Sequence, residues 1–164
     1  MKPNLSYDLT TAILTTADAF LRESQRLFRP LGLTGAQFNV LNILANHTPE
    51  GGMSQRELGD RLVVDRSNVS GLLDRLEKTG WVKREDHPED RRVYRVNLTA
   101  TGRRLWEKVQ PLYVDVLRQV TRGLPPRRMR ECLETLQQLE ASAANWTING
   151  TARKRTTAVP RAAE

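Results

Sequence analysis

The sequence predicts a mainly α fold with a small β-hairpin, and three observations indicate it. Apolar residues recur at intervals of three, four and seven along most of the chain, which is the period of an amphipathic helix. Residue pairs that cap helices stand at the start of several of these segments. The stretch from Trp81 to Leu98 instead alternates around a turn cluster, as the two strands of a hairpin do.

The composition excludes several classes of protein. The 164 residues are 38% hydrophobic and 27% charged, which is typical of one globular domain with tails. No apolar run approaches the roughly 20 residues of a membrane span, and no apolar stretch follows Met1 as in a secretory signal. One cysteine and two histidines leave little for a disulfide, a metal site or catalysis. We therefore expect a cytoplasmic protein that is not an enzyme and needs no metal or cofactor.

A first helix is predicted from Leu5 until Pro30, because proline disfavours helical backbone at the residue before it. The apolar stripe of this helix consists of Leu9, Ile13, Ala17, Phe20, Leu21 and Leu27. Thr34 and Gln37 form a capping box that opens a second helix, which the turn cluster at 47–52 ends.

Two shorter helices follow in the sequence. Ser54 and Glu57 form a second capping box, which opens a helix that extends to about Leu62. Asp65 is predicted to cap the next helix, and Gly80 stands where a glycine that ends a helix is expected. The apolar face of that helix consists of Val69, Leu72, Leu73 and Leu76.

A β-hairpin and two further helices complete the predicted fold. The strands of the hairpin are predicted at 81–85 and 92–98, with a charged tip between them. Thr99 caps a long helix, within which Pro111 predicts a kink. A final helix ends near Ala144, and its apolar stripe consists of Met129, Cys132, Leu133, Leu136 and Leu139.

The charge of the chain is basic but unevenly distributed. Lys and Arg number 26 against 19 Asp and Glu, a net charge of +7, which favours anionic partners such as nucleic acid. Residues 146–164 carry four basic side chains and one acidic, and they have no apolar period, so we predict a flexible basic tail. Because the excess lies mostly toward the C-terminus, the order of the elements must carry the functional argument.

The central elements, at 31–98, have the order of a winged helix-turn-helix: a capped short helix, a second helix and a hairpin. The helical regions at 5–30 and 99–145 flank it, with apolar stripes too long for a small winged domain to bury. The motifs of the central region are Gly32-Leu33-Thr34, Gln37-Phe38, Leu41, Ser54-Gln55, Leu58, Val69-Ser70, Leu73, Leu76-Glu77, Gly80-Trp81-Val82, Arg84, Asp90-Arg91-Arg92, Val96, Leu98-Thr99 and Gly102. On these motifs the chain resembles the multiple antibiotic resistance regulator (MarR) family.

The resemblance implies a function for each region. The helices at 5–30 and 99–145 are implied to form a homodimer, and the domain at 31–98 to bind a pseudo-palindromic operator in double-stranded DNA, as a repressor. A small anionic or phenolic effector is implied to bind between the dimer helices and the winged domain and to lower the affinity for DNA. We place Phe20, Phe38 and Trp106 at that ligand site.

The residue types around the helix at 69–76 suit base reading, because short polar and basic side chains hydrogen bond to base edges at close range. Gly71 allows the backbone to approach the DNA closely. Arg75 is placed to reach a phosphate, and Ser54 and Gln55 to contact the DNA backbone from the preceding helix. The candidate base-reading residues are Arg66, Ser67, Asn68 and Ser70.

The tip of the hairpin supplies a second candidate contact. In the family that the chain resembles, the wing sends an arginine into the minor groove, where a narrow A·T-rich groove concentrates negative potential. We assign that role to Arg91, with Arg92 beside it and Asp90 orienting an arginine through a bidentate pair.

One other function stays open at this point, a winged-helix module for protein partners or non-specific nucleic acid, and protection of a specific DNA sequence discriminates against it. A ligand-binding or redox-active enzyme would require a catalytic constellation that the sequence lacks. His47 and His87 have no second His or Cys at ligand spacing, so no zinc site is predicted. Cys132 is interpreted as a small core or interface residue rather than a redox sensor.

Overall fold

The computed structural model describes residues 4–48, 52–62, 68–86 and 94–145. The helices in these ranges are α1 (Leu5–Phe28), α2 (Gly35–His47), α3 (Gln55–Arg61), α4 (Val69–Lys78), α5 (Ala100–Thr121) and α6 (Pro126–Asn145). The strands are β1 (Met53–Ser54), β2 (Val82–Asp86) and β3 (Tyr94–Leu98), and a 3₁₀ turn occupies Arg29–Leu31. The predicted mainly α fold with a small β-hairpin is therefore confirmed.

Both predicted capping boxes are formed. The Thr34 hydroxyl accepts a hydrogen bond from the Gln37 amide at 3.2 Å, and Gln37 Oε1 accepts one from the Thr34 amide at 2.9 Å. Ser54 and Glu57 make the same reciprocal pair at 3.2 and 2.8 Å. Each box satisfies amides at the start of a helix that have no partner within the helix. These bonds fix the starts of α2 and α3.

The predicted helix ends also agree with the structure. The α1 helix stops two residues before Pro30, which lies in the 3₁₀ turn. Gly80 follows α4 with a φ of +71°, and its amide donates to the Glu77 carbonyl oxygen at 2.8 Å, as a glycine after a helix C-terminus does. Pro111 lies within α5 without ending it, and the predicted kink stays a prediction.

The hairpin belongs to a three-stranded antiparallel sheet with the strand order β1-β3-β2. The pairing of β2 with β3 runs from Val82 opposite Leu98 to Asp86 opposite Tyr94. The short strand β1 pairs with the other edge of β3, and the sequence did not predict it because two residues are too few to show an alternation. The predicted charged tip lies outside the described residues.

The hydrophobic core lies in the first of two compact units, residues 1–113. The buried apolar residues of α2 and the predicted apolar face of α4 supply half of it, and the sheet adds one residue from each strand. Burying a leucine or phenylalanine side chain stabilises a fold by roughly 1.5–3 kcal/mol. The buried core residues are Phe28, Leu33, Phe38, Val40, Leu41, Leu44, Met53, Leu58, Leu62, Val69, Leu72, Leu73, Leu76, Val82, Val96 and Val109.

Much of the apolar stripe of α1 is uncovered in the single chain, although Ile13 and Leu27 are partly buried. Leu9 and Phe20 are 44% and 40% exposed, and Leu21 is exposed further. Phe28, at the C-terminal end, is the buried residue of this helix. Most of the apolar surface of α1 is therefore available to a partner.

The second unit, residues 114–164, contains the remainder of α5 and the helix α6. The predicted stripe of α6 is also uncovered, since Leu133, Leu136 and Leu139 are 50%, 41% and 37% exposed. Cys132 is exposed, so a place in the core of the protomer is wrong for it, while an interface position stays a prediction. The predicted tail at 146–164 lies outside the described residues.

The described ranges contain neither a membrane-spanning helix nor a cluster of metal ligands. No helix there is both long enough and apolar enough to cross a membrane. The same ranges contain no group of three or more His, Cys, Asp or Glu that could hold a metal ion. His47 is exposed at the end of α2, and His87 lies outside the described residues.

Candidate nucleic-acid interface

The α4 helix has one buried face and an exposed flank that is open. Asn68, Gly71 and Arg75 follow one another at intervals of three and four, so they share this flank. A Cβ atom placed on Gly71 would lie 3.7 Å from Arg75 Nη1 and 3.9 Å from Asn68 Oδ1. The flank is therefore a polar surface with no side chain at its centre. All four predicted core residues are buried on the opposite side: Val69, Leu72, Leu73 and Leu76.

The first residue of this flank stands at the start of the helix. Asn68 occupies the N-cap position of α4 with φ −95° and ψ −8°, and no side chain of the described residues caps the helix there. The predicted cap, Asp65, lies outside the described residues. Because the side-chain amide of Asn68 makes no capping bond, its N–H donors and its oxygen acceptor are available to a partner that approaches the helix start.

Two predicted contact residues bind each other. Gln55 Nε2 donates to Ser70 Oγ at 2.5 Å, which ties the start of α3 to the first turns of α4. Because the Ser70 hydroxyl accepts this bond, its own proton can be donated to a third group. Ser54 is engaged in capping α3. The structure thus brings Gln55 and Ser70 together, and their contact with DNA stays a prediction.

Another side of α4, which carries Ser70, Asp74 and Glu77, is held by Arg84 of β2. Arg84 Nη2 lies 2.6 Å from Asp74 Oδ1, and Nη1 lies 3.1 Å from Glu77 Oε2. Nη2 also lies 3.3 Å from the Ser70 carbonyl oxygen, and the Arg84 amide donates to Glu77 Oε1 at 3.0 Å. Sequence reasoning named Arg84 only as part of a motif. The available signal was the spacing of Asp74 and Glu77, which places two carboxylates on one side of the helix.

A second arginine joins β3 to the start of α3. Arg95 Nη1 lies 3.3 Å from Glu57 Oε2 and 3.3 Å from the Gly52 carbonyl oxygen. Hydrogen bonds to the side chain and backbone of Ser54 hold the pKa of the Glu57 carboxyl below its usual value, and the nearby charges of Arg95 and Arg61 add to this effect. The capping box is therefore strongest when Glu57 is ionised.

Acid is expected to destabilise the wild-type protein more than a Glu57→Gln variant. Because folding lowers the pKa of Glu57, its contribution is complete above about pH 4.5 and is lost as the pH falls through the lower folded pKa. Glutamine can still accept the hydrogen bond from the Ser54 amide, so the capping box persists. Urea unfolding at pH 7 and pH 3 measures how much the free energy of unfolding falls in acid, and this fall should be smaller in the variant.

The control for net charge in that experiment is Glu107→Gln, which removes an exposed carboxylate from α5. It separates the loss of a negative charge from the loss of the capping carboxylate. A wild-type pH dependence in Glu57→Gln would contradict the role given to this side chain.

The remaining predicted DNA contacts lie outside the described residues, and their roles stay predictions. Those in the connection before α4 and at the wing tip are Arg66, Ser67, Asp90, Arg91 and Arg92.

The three predicted ligand residues have different surroundings. Phe38 is buried, with its ring centroid 4.6 Å from that of Phe28 and 4.9 Å from that of Tyr113. Trp106 Nε1 donates to Asn42 Oδ1 at 3.1 Å, and Phe20 is exposed on α1. A ligand site at these residues stays a prediction. A surface depression of about 260 Å³ is lined by a different set, Gln55, Arg56, Gly59, Asp60 and Val69.

Known proteins resemble this chain in sequence. The MarR family profile matches residues 31–93. The transcriptional activatory protein BadR of Rhodopseudomonas palustris is 31% identical in an alignment of 156 positions that covers 89% of this chain and 88% of that protein.

Solved structures share the fold. The S. aureus MepR–DNA complex has a TM-score of 0.75 at 18% identity, covering 86% of this chain and 99% of that one. Bordetella bronchiseptica BpsR, solved in a study of how 6-hydroxynicotinic acid regulates its DNA binding, has a TM-score of 0.71 at 24% identity, covering 81% and 98%. The winged helix-turn-helix and the near full-length match to a transcriptional regulator lead to one conclusion: the chain belongs to the MarR family of DNA-binding transcriptional regulators and is not an enzyme.

Proposed function

We propose that the protein is a homodimeric repressor that binds a pseudo-palindromic operator and is released by a small aromatic or phenolic acid. The observation that carries the proposal is the open flank of α4, where Asn68 and Arg75 stand exposed on either side of Gly71. An amide and a guanidinium are groups that hydrogen bond to base edges and phosphates. The glycine between them lets the helix approach the DNA closely.

The dimer in this proposal is supported by apolar surface that one chain leaves uncovered. Both α1 and α6 carry apolar side chains that are 37% exposed or more: Leu9, Phe20 and Leu21 on α1, and Leu133, Leu136 and Leu139 on α6. Contiguous apolar surface of this kind marks an interface, and pairing of like surfaces around a two-fold axis would bury it. Two α4 helices related by that axis would read half-sites about one helical turn apart, roughly 34 Å.

The other predicted contacts keep their roles in this proposal. Ser54 and Gln55 lie at the start of α3, where the first helix of the motif crosses the DNA backbone. In the connection to α4, Arg66 and Ser67 join Asn68 and Ser70 as the candidate base-reading residues.

The wing acts in the minor groove. Arg91 enters it, with Arg92 beside it, and Asp90 orients an arginine through a bidentate pair.

The direction and the release of regulation are also proposed. We expect repression, because a dimer bound to promoter DNA excludes the polymerase. A reporter gene whose expression rises with the protein would instead indicate activation, the role that the name of BadR gives to that relative. The regulation of BpsR by 6-hydroxynicotinic acid supports an aromatic acid as the effector class. The candidate ligand residues are Phe20, Phe38 and Trp106. Because the target is chromosomal DNA, the proposal places the protein in the cytoplasm.

The experiment that tests the proposal is footprinting on the DNA upstream of the protein's own gene, without and with a panel of aromatic acids that includes 6-hydroxynicotinic acid. We expect a protected sequence with two-fold symmetry, and loss of protection with at least one acid. Binding without a protected sequence would instead favour a winged-helix module that binds nucleic acid non-specifically.

Base reading and minor-groove contact are expected to respond to different substitutions. Asn68→Ala should lower the ratio of operator to non-specific affinity by roughly 5- to 150-fold, because a lost base contact costs about 1–3 kcal/mol. Arg91→Ala should weaken operator binding, reduce the salt slope by about one unit and lessen the dependence on flanking A·T content. The measurement is operator titration at several salt concentrations. If Arg92→Ala alone shows the second pattern, the minor-groove residue is Arg92.

A further inference from the structure

We propose that Arg84 is a positioning residue that locks the wing to the recognition helix, so that α4 and the hairpin meet DNA as one unit. The inference rests on the proposed function, because it concerns how these two elements together read an operator. Arg84 lies on β2, the strand that leads to the wing tip, and the ion pairs and hydrogen bonds of its side chain to described residues are with α4.

The geometry of the contact favours positioning over a loose surface ion pair. The Arg84 side chain is only 20% exposed, and its two terminal nitrogens bind different turns of α4, at Asp74 and at Glu77. Exposed ion pairs contribute little, but a planar guanidinium with several simultaneous partners fixes orientation as well as distance. The bond from the Arg84 amide to Glu77 also ties the backbone of β2 to the helix.

The same arginine reaches a residue at the base-reading end of the helix. Arg84 Nη2 lies 3.3 Å from the Ser70 carbonyl oxygen, and the Ser70 hydroxyl accepts a hydrogen bond from Gln55. The first turns of α4 are therefore fixed between α3 and the wing strand. A shift of the wing would be transmitted to Ser70, and the position of the base-reading residues depends on the wing being in place.

The acidic partners of Arg84 allow a positioning role to be distinguished from a purely electrostatic one. Asp74 is 64% exposed on a helix that approaches polyanionic DNA, where a negative charge by itself lowers affinity. Its removal should therefore tighten binding if it acts only through charge. If it also holds Arg84 in place, its removal should lower discrimination between sequences as well.

The chain offers a matched control for the loss of a positive charge. Lys83 lies on the same strand as Arg84, next to it, and its ammonium group is 2.7 Å from Glu85 of that strand. Lys83→Gln removes one positive charge from the wing strand without touching α4. Arg84→Gln removes one positive charge and the lock together.

The test compares affinity for the operator found by footprinting with affinity for a random duplex of equal length. Arg84→Gln should lower the ratio of the two affinities about tenfold, the scale of coupling between contacting groups. Asp74→Asn should also lower this ratio while raising the affinity for the random duplex. Lys83→Gln should weaken both affinities and leave the ratio within about twofold of wild type. Arg84→Lys, which keeps the charge, serves if Arg84→Gln does not fold, and it should show the same fall.

Hydrogen exchange without DNA separates failure of this inference from failure of the proposed function. The amides of β2 and of the first turns of α4 should exchange faster in Arg84→Gln than in Lys83→Gln. Equal exchange in these two variants, or an affinity ratio in Arg84→Gln and Arg84→Lys equal to that of wild type, would overturn the lock. A wild-type protein that protects no operator would overturn the proposed function, while faster exchange in Arg84→Gln would still support the contact.

Discussion

Replacing Leu136 with aspartate is expected to convert the protein from a dimer to a monomer and to abolish tight binding to the operator. Leu136 lies on the apolar stripe of α6 and is 41% exposed in the single chain. Complete burial of a leucine side chain contributes about 1.5–3 kcal/mol, so burying the exposed 41% in a dimer contributes at most about 0.6–1.2 kcal/mol per chain. Because the dimer has a two-fold axis, the substitution removes this contribution twice. It also places two carboxylates without partners in an apolar interface. We therefore expect the dimer dissociation constant to rise by a factor of at least about 10²–10⁴.

Sedimentation at micromolar concentration measures this change directly. The wild-type protein should sediment with twice the mass of one chain, and Leu136→Asp with the mass of a single chain. The matched control is Gln138→Asp, which adds the same charge to α6 two residues away, about 200° around the helix and so nearly opposite the stripe. A wild-type monomer, or a dimer that tolerates Leu136→Asp but not Gln138→Asp, would show that this stripe is not the interface.

The loss of DNA binding follows from linkage between the two half-sites. In a dimer the second α4 helix binds a half-site at a high effective concentration, so a dimer binds far more tightly than two separate chains. The monomer should keep only weak, salt-dependent affinity for DNA. Thermal stability should fall too, because a dimer of this kind is stabilised by association.

Local chemistry made much of the fold predictable. The Thr34 and Ser54 boxes depend on two side chains three residues apart, and both form as predicted. Gly80 adopts the positive φ that a glycine after a helix favours. The strand β1 escaped prediction because its two residues gain their partners only from β3, some forty positions further along the chain.

The candidate site was less predictable, because its geometry depends on contacts between distant segments. Asn68 and Arg75 could be placed on the exposed flank of α4 from their spacing alone. The pairing of Gln55 with Ser70 joins two helices, so nothing in the local sequence of either residue indicates it. Arg84 carries no periodic signal on its own strand, and the spacing of Asp74 and Glu77 identifies it as their partner only once β2 is packed against α4.

The structure explains why residue 102, one of the motif residues, is glycine. It lies in the first turn of α5, where the Thr99 hydroxyl accepts a hydrogen bond from the Gly102 amide at 3.0 Å. Thr99 is also tied to the chain before β2, since its amide donates to the Trp81 carbonyl oxygen at 3.1 Å. A Cβ atom on Gly102 would lie only 1.9 Å from that same oxygen, and 2.8 Å from the Trp81 carbonyl carbon.

Gly102→Ala is therefore expected to destabilise the fold severely. Alanine in a helix is otherwise favoured over glycine by about 1 kcal/mol, so any loss must come from the contact. The clashing atoms belong to backbone that is held by hydrogen bonds, and overpacking typically costs about 1–3 kcal/mol, or more where the surroundings cannot move. We expect a loss of at least about 3 kcal/mol, which for a chain of this size lowers the thermal midpoint by roughly 6–12 °C.

Thermal unfolding followed by circular dichroism measures this loss, and Gly123→Ala is its matched control. A Cβ atom on Gly123 would meet nothing within 4 Å, and the residue has no positive φ, so alanine there should leave the midpoint within about 4 °C of wild type. The contrast between the two variants isolates the close approach of α5 to Trp81 from the general effect of replacing glycine. Because Thr99 and Gly102 join the hairpin to α5, the loss of this contact should loosen the wing at its base as well. A Gly102→Ala protein that melts like Gly123→Ala would mean that the start of α5 lies farther from the Trp81 carbonyl than this geometry requires.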